Sequence, residues 1–300
     1  MKNSSTDSFK IYSIRILFYL FLFLLLLEGF LRLFIITVPN SVPQLVSKSY
    51  IKEHEIVSIG DSHFYRAFIN SKNINDLSMG GLTIPAMNEI IKHLVKYKPK
   101  KLILEASPQL FSQSHYRKSD MGFKNYFVLP KYAKVFIFEP GVTEYLASIN
   151  NYSSFVKIIN HTFKNPKISY SSWNDISLKK RIRLTHNRIQ KQKPNINDAH
   201  FNEFKSIYVE MIDNALNNGI KVCLLRTPVT PRYAQITRDY PDFSVAQNFF
   251  INLADNLNLT YVDYNDLNIS YTLSSFSNQD HITPETSKIF SKLVLEKCKF

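Results

Sequence analysis

The sequence predicts an α/β protein in three layers, with a parallel sheet of about five strands covered by helices on both faces. Short apolar runs rich in β-branched residues alternate with stretches of helical periodicity from residue 55 onward. The first units follow the order strand, helix, strand, helix, strand, which favours parallel pairing through helical crossovers. One predicted transmembrane helix precedes this sheet, and a mostly helical insertion interrupts it.

The first part of the 300-residue chain is typical of a membrane anchor. Residues 16–27 are all apolar, and residues 29–38 continue the block with only Arg32 charged. At a rise of about 1.5 Å per residue, residues 14–38 are long enough to span a bilayer. Lys2, Lys10 and Arg15 precede the block and favour an N-terminus inside the cell. No small-residue cleavage site follows, so we expect the anchor to be retained.

We therefore predict a single-pass protein of the cell membrane that contacts the phospholipid bilayer through its anchor. Residues 1–39 are the cytoplasmic N-terminus and the anchor, residues 40–54 a linker, and residues 55–300 an extracytoplasmic domain; two prolines, Pro39 and Pro43, with nearby Ser and Asn indicate the linker. The net charge of +13 indicates attraction to anionic surfaces. Cys223 and Cys298 do not form a disulfide framework, and they leave the redox compartment open.

The predicted strands and helices of the domain follow from the position of apolar runs, caps and breakers. Predicted strands occupy residues 55–59, 74–78, 101–106, 220–225 and 259–262. Predicted helices occupy residues 64–69, 84–95, 203–217, 244–257 and 284–297.

Residues 110–205 interrupt this alternation and are predicted to form the mostly helical insertion. Within them, residues 179–193 carry seven Lys or Arg and no acid. Such a run binds a polyanionic glycan, lies on phospholipid headgroups, or is simply a solvated helix face in a Lys-rich protein. No nucleic-acid-binding motif is present, and nucleic acid is not an expected partner.

Gly60-Asp61-Ser62 ends the first predicted strand and leads into a helix. A serine on such a turn has its hydroxyl exposed at the end of the sheet, where a nucleophile is useful. The alternative is that Asp61 or Ser62 only caps the helix. Asp61 is expected to hold the turn through backbone hydrogen bonds. His63 follows the serine and is a candidate for lining the site, but its side chain is expected to point away from that of Ser62.

The second informative stretch is Ser277-Asn278-Gln279-Asp280-His281, directly before the last predicted helix. His281 lies beyond the last strand, and sites in open α/β sheets gather at that edge. It is therefore a candidate base for Ser62. The other seven histidines show no metal-ligand spacing, so neither a metal nor another cofactor is predicted.

These motifs resemble the SGNH (GDSL-type) hydrolase superfamily, and in particular its membrane-anchored relatives that act as O-acyltransferases or esterases on cell-surface polymers. The resemblance covers residues 55–300 apart from 110–205, and it implies a flavodoxin-like fold. It implies that Ser62 is the nucleophile and His281 the base. Gly80 and Gly81 correspond to the glycine turn whose N–H groups help to form the oxyanion hole.

Two positions depart from the pattern of the superfamily. Its acid usually stands three residues before the histidine, where this chain has Asn278, whereas Asp280 directly precedes His281. Either Asp280 serves as the acid, or Asn278 or a carbonyl group orients a Ser–His dyad, or the site is impaired. Ser107 replaces the usual oxyanion Asn, and nearby Glu105 is a second acid or a surface residue.

The resemblance thus implies acyl transfer or ester hydrolysis on an envelope glycan or another anionic polymer, through a Ser62 acyl-enzyme. A membrane partner that donates the acyl group is a further implication. Two alternatives remain open. One is a catalytically impaired scaffold that binds polymer or organises a synthesis complex, and the other is an esterase that acts on lipids.

Overall fold

The computed structural model describes residues 12, 14–23, 26, 55–68, 73–78, 80–118, 173–267 and 269–299. The chain divides into two compact units, one comprising Met1–Gln44 and Asn125–Lys167 and the other Leu45–Lys124 and Ile168–Phe300. In the first unit, the described residues 14–23 are helical and their large apolar side chains are exposed.

Among the described residues, no helix has both the length and the apolar character that crossing a membrane requires. Most of the predicted anchor beyond residue 23 and all of the linker at 40–54 lie outside the described residues. The anchor, the linker and the domain boundaries therefore stay predictions.

The second unit contains a five-stranded sheet, which confirms the predicted α/β class and the parallel pairing. The strand order is β2-β1-β3-β4-β5, and each neighbouring pair is parallel. The strands are β1 Ile56–Ile59, β2 Asn75–Asp76, β3 Lys101–Glu105, β4 Lys221–Arg226 and β5 Thr260–Asp263. This order is the flavodoxin-like one, in which the crevice at the carboxyl ends of β1 and β3 is the usual position of a site.

Eight α-helices of this unit lie in the described residues. They are α1 Ser62–Phe68, α2 Ile84–Leu94, α3 Gln113–Lys118, α4 Leu178–Gln192, α5 Ala199–Asn217, α6 Pro231–Thr237, α7 Pro241–Asn256 and α8 Pro284–Lys297. The last helix has the predicted bounds, because Thr283 caps it by accepting the N–H of Thr286. The first begins at Ser62 itself, two residues before the predicted start.

Side-chain alternation along the strands supplies an apolar surface on each face of the sheet. Ile103, Cys223 and Leu225 join a core with Phe68 of α1 and Phe290 of α8, whose rings lie 6.2 Å apart. Leu102 and Leu104 alternate with Ile103 and are likewise fully buried. On that side α5 contacts both α2 and β4, and it packs against α7. Helices therefore cover both faces, as predicted.

Within the predicted insertion, residues 119–172 lie outside the described residues, and the described remainder is mostly helical. Helix α4 is part of the compact unit, because its Ile189 is fully buried in the same core as α1 and α8. This packing brings the basic run against the sheet domain.

The expectation that the two cysteines form no disulfide framework is wrong. Cys223 and Cys298 form a disulfide across 75 residues, with their Cα atoms 5.8 Å apart. Both residues are buried in the core between β4 and α8, so the pairing depends on this helix packing against the sheet.

Candidate active site

The turn after β1 is built so that Ser62 opens α1 with a partly exposed side chain. Asp61 accepts the N–H of His63 at 2.7 Å, which is the backbone hydrogen bond expected of it. The N–H of Asp61 is donated to Oε2 of Glu105 at 2.6 Å. Gly60 has no room for a side chain, since an added Cβ would lie 2.6 Å from the same Glu105 oxygen. Glu105 therefore supports the turn from β3.

The loop that carries His281 is held by its own backbone and by the β4–α6 connection. Phe276 and Ile282 form an isolated antiparallel bridge at its base. Ser277 donates both its N–H and its hydroxyl to the carbonyl of His281, at 2.9 and 3.1 Å. Thr230 donates its N–H and its hydroxyl to the carbonyl of Gln279, at 3.0 and 3.1 Å. Four hydrogen bonds thus fix the position of this loop.

The two predicted catalytic side chains meet, although 219 residues separate them. Nε2 of His281 lies 3.0 Å from Oγ of Ser62. On the other side of the ring, Nδ1 lies 3.0 Å from Oδ1 of Asn278 with hydrogen-bond geometry. Oδ1 of Asp280 is also 3.0 Å from Nδ1, but without hydrogen-bond geometry. Both residues considered for the acid position therefore face the same nitrogen.

Asp280 is a fully buried carboxylate with cationic partners. Its Oδ2 accepts from Nε of Arg188 at 2.6 Å, and Nε2 of His63 lies 3.1 Å away. Burial opposes ionisation, but the His281 and His63 contacts hold the pKa of Asp280 well below its ordinary value. For His281, burial outweighs the attraction of Asp280 and lowers the pKa. A neutral imidazole is the form that accepts a proton from serine.

Sequence reasoning assigned no role to His63. Its ring is parallel to that of His281, with an angle of 2° and 4.7 Å between centroids. Its Nδ1 lies 2.5 Å from Oδ1 of Asp61. Burial lowers the pKa of His63, but the charge of Asp61 and the contacts with both carboxylates raise it well above its ordinary value. The adjacent Asp-Ser-His letters are the only sequence signal, and they do not reveal the contact with Asp280.

Glu105 is not a surface residue, which was one of the two interpretations of the sequence. Its side chain is fully buried beside Asp61 and accepts from the amide of Gln109 at 3.1 Å. Burial, and then the nearby charge of Asp61, raise the pKa of Glu105 well above its ordinary value. Burial therefore favours the uncharged form of the Glu105 side chain.

The three residues predicted for the oxyanion hole occupy the crevice side of the sheet. Gly80 lies next to Ser62, since an added Cβ would be 3.9 Å from Cβ of that serine. Gly81 has a φ of +77°, a backbone conformation that favours glycine. Ser107 follows β3 and is buried, and its hydroxyl has no hydrogen-bond partner within the described ranges. Their role as oxyanion donors stays a prediction.

Two groups of side chains bring potential metal ligands close together: His63 with Asp280 and His281, and His63 with Asp61 and Glu105. The two ring nitrogens of His63 already face carboxylate oxygens of Asp61 and Asp280, at 2.5 and 3.1 Å. Because hydrogen bonds account for these atoms, we assign no metal to either group.

No protein-family model matches the sequence, and no curated protein matches it. Among solved structures, a putative acylhydrolase from Bacteroides fragilis is similar with a TM-score of 0.40 and 13% identity, over 81% of this chain and 86% of that one. A GDSL-like lipase from Bacteroides thetaiotaomicron is similar with a TM-score of 0.39 and 11% identity, over 85% of this chain and 98% of that one.

Proposed function

We propose that the protein is a serine-dependent, esterase-type enzyme of the SGNH kind, with Ser62 as nucleophile and His281 as base. The observation that carries this proposal is the 3.0 Å contact between Oγ of Ser62 and Nε2 of His281, with Nδ1 facing Asn278 and Asp280. A nucleophile, a base within hydrogen-bond reach and a group that orients the base are the minimum that acyl-enzyme chemistry needs.

In the proposed reaction, His281 takes the proton of Ser62 while Oγ attacks the carbonyl carbon of an ester. The resulting oxyanion is stabilised by N–H groups of Ser62 and Gly81. His281 then gives its proton to the leaving alcohol, and an acyl-Ser62 ester remains. In the second half, His281 takes a proton from water or from an acceptor hydroxyl, whose oxygen attacks the acyl carbon. Collapse of this intermediate returns the proton to Ser62.

We propose an anionic cell-envelope polymer as the partner that carries or receives a small acyl group. Lys179, Arg183 and Lys191 are spaced by multiples of four along α4, and their side chains are exposed. The opposite side of the helix reaches the site through Arg188, which contacts Asp280. A polymer bound along this basic face would be held by the same helix whose other side contacts the site. If water attacks the acyl-Ser62 ester, the reaction is hydrolysis, and if a sugar hydroxyl attacks it, the reaction is acyl transfer.

An extracytoplasmic location, with residues 14–38 as the membrane anchor, belongs to the same proposal. The disulfide between Cys223 and Cys298 supports it, because structural disulfides persist mainly in oxidising compartments. A membrane-bound acyl donor would then lie in the same membrane that holds the anchor of this protein. To test the compartment, the protein from fresh cells is unfolded without a reductant and its free thiols are alkylated and counted. Two alkylated cysteines would contradict an extracytoplasmic location.

Hydrolysis of p-nitrophenyl acetate and labelling by a fluorophosphonate probe test the function on the full-length chain. Ser62→Ala is expected to abolish both, and His281→Ala to reduce both by at least about 10³-fold. Ser206→Ala removes an exposed serine of α5 and serves as the matched control. Undiminished turnover by Ser62→Ala would exclude the mechanism. Polymer binding without labelling of Ser62 would instead identify a non-catalytic scaffold.

A further inference from the structure

The two ring nitrogens of His63 face two different carboxylates. Nδ1 lies 2.5 Å from Oδ1 of Asp61, in the turn that carries the nucleophile. Nε2 lies 3.1 Å from Oδ2 of Asp280, in the loop that carries the base. We propose that His63 is a positioning residue that links these two segments, holds Asp280 against the base and, by stacking on His281, keeps that base neutral. The inference rests on the proposed function, because it assigns His63 a role in the Ser62–His281 reaction.

The contacts of His63 require a cationic ring. A neutral imidazole has one donor and one acceptor nitrogen, whereas both nitrogens of His63 face carboxylate oxygens. Burial alone would not keep these carboxylates ionised, so they need a cationic partner. Only the imidazolium donates to both. The raised pKa of His63 and the lowered pKa values of Asp61 and Asp280 agree with this arrangement.

Charges of both signs surround His63. Asp61 and Asp280 are its acidic partners, and Arg188 pairs with Asp280 as a second basic group. The remaining groups that face this cluster come from five elements: Glu105 at the end of β3, the amide of Gln109 in the 3-10 turn that follows, His115 of α3 at 3.5 Å from Asp61, the amide of Gln192 in α4, and Tyr233 of α6. A buried cluster with paired charges avoids the large cost of an isolated one.

The stacked geometry couples His63 to the base. The rings of His63 and His281 are parallel, with centroids 4.7 Å apart. A positive charge on His63 at this distance disfavours protonation of His281 and lowers its pKa. The negative charge of Asp280 has the opposite effect and raises the pKa of His281. The cation thus offsets part of the attraction by which Asp280 would hold a proton on His281. His281 is then available as a base at lower pH than the aspartate alone would allow.

The same chain contains a local copy of the motif that lacks these tertiary contacts. Asp198 caps α5, accepts the N–H of His200 at 3.1 Å, and lies 2.7 Å from Nδ1 of the same residue. Asp61 and His63 make the equivalent two contacts at 2.7 and 2.5 Å. Only His63 also reaches Asp280 and His281. The His200→Gln variant removes this pair and the ring contacts of His200 with Tyr116 and Phe204, but no contact with Asp280 or His281, and is a matched control.

The experiment compares the full-length wild-type chain, His63→Gln and His200→Gln. The pH dependence of kcat/KM for p-nitrophenyl acetate is measured together with the midpoint of thermal unfolding. For His63→Gln we expect a loss of about 10-fold or more at pH 7, with the acidic limb shifted upward by about one pH unit. His200→Gln should leave the acidic limb in place. A loss of activity in His63→Gln without a shift of that limb would contradict the proposal.

A second measurement does not depend on turnover. The ring of His281 is titrated by NMR in histidine-labelled protein, and its signals are assigned by their absence in His281→Gln. The pKa of His281 should rise in His63→Gln, and an unchanged value would overturn the inference. If Ser62→Ala retains activity while this shift is observed, the proposed function fails and the coupling of the two histidines stands. If Ser62 is essential and the pKa of His281 does not shift in His63→Gln, the proposed function stands and the coupling of the two histidines fails.

Discussion

Substituting Asp280 by Asn and, separately, Asn278 by Ala tests which side chain orients the base. Both side chains place an oxygen 3.0 Å from Nδ1 of His281. Only Asp280 offers a charge to the imidazolium that forms during the reaction. We therefore expect Asp280→Asn to cost more activity than Asn278→Ala.

The expected magnitudes follow from the contacts that each substitution removes. A contact that involves a charged group contributes about 1.5–3 kcal/mol, which corresponds to roughly 10–150-fold in kcat/KM for Asp280→Asn. An uncharged hydrogen bond contributes about 0.5–1.5 kcal/mol, or roughly 2–10-fold for Asn278→Ala. Asp280→Asn also leaves Arg188 and His63 without their carboxylate. Breaking a buried pair costs up to about 3–5 kcal/mol of stability, and less here because the Arg188 side chain is 31% exposed.

The assay is kcat/KM for an acetyl ester at a temperature well below the unfolding midpoint of each variant, so that stability and catalysis are read separately. Asp263→Asn is the matched control, because Asp263 pairs with Arg226 at 2.9 Å at the end of β5 and contacts neither catalytic residue. A greater loss in Asn278→Ala than in Asp280→Asn would refute this reasoning and make Asn278 the orienting group.

Three further predictions concern buried groups. Burial raises the pKa of Asp76 to about 6, so its contribution to the free energy of unfolding should fall by about 2 kcal/mol between pH 4 and 6. Denaturant titrations should show that the free energy of unfolding of Asp76→Asn lacks this fall. If the free energies of wild type and variant changed in parallel with pH, the raised pKa of Asp76 would be contradicted. Glu105→Gln should retain activity within about threefold, because glutamine keeps an oxygen that accepts the N–H of Asp61 and is uncharged, as burial favours for Glu105, whereas Glu105→Ala leaves that N–H unpaired at a cost of about 1–3 kcal/mol. Equal losses in both variants would argue against a neutral acid. Gly60→Ala should destabilise the protein by about 1–3 kcal/mol or more, because the added Cβ clashes with Glu105. The control is Gly219→Ala, since Gly219 has open space around it and only its positive φ disfavours alanine. An unfolding midpoint for Gly60→Ala above that of Gly219→Ala would contradict the packing described here.

Much of the fold could be predicted because the sheet is parallel and buried. Each strand is then a short apolar run, as at residues 101–105 and 221–226, and each helix between strands has its own periodicity and cap. Boundaries were less accurate where a side chain caps its own helix. Asp198 starts α5 four residues before the predicted position, by accepting the N–H of His200. The disulfide was missed because two isolated cysteines carry no pairing signal until β4 and α8 pack together.

The sequence by itself determined the nucleophile turn, the loop that carries the candidate base, and the parallel order that brings their ends to one edge of the sheet. Those properties depend on local patterns and on a rule of topology. The tertiary structure decided what surrounds them: both Asn278 and Asp280 face His281, Glu105 lies beneath the turn, and His63 joins two carboxylates 219 residues apart in the chain. No local pattern encodes these contacts, because their strength comes from burial and from charges that only the folded chain brings together.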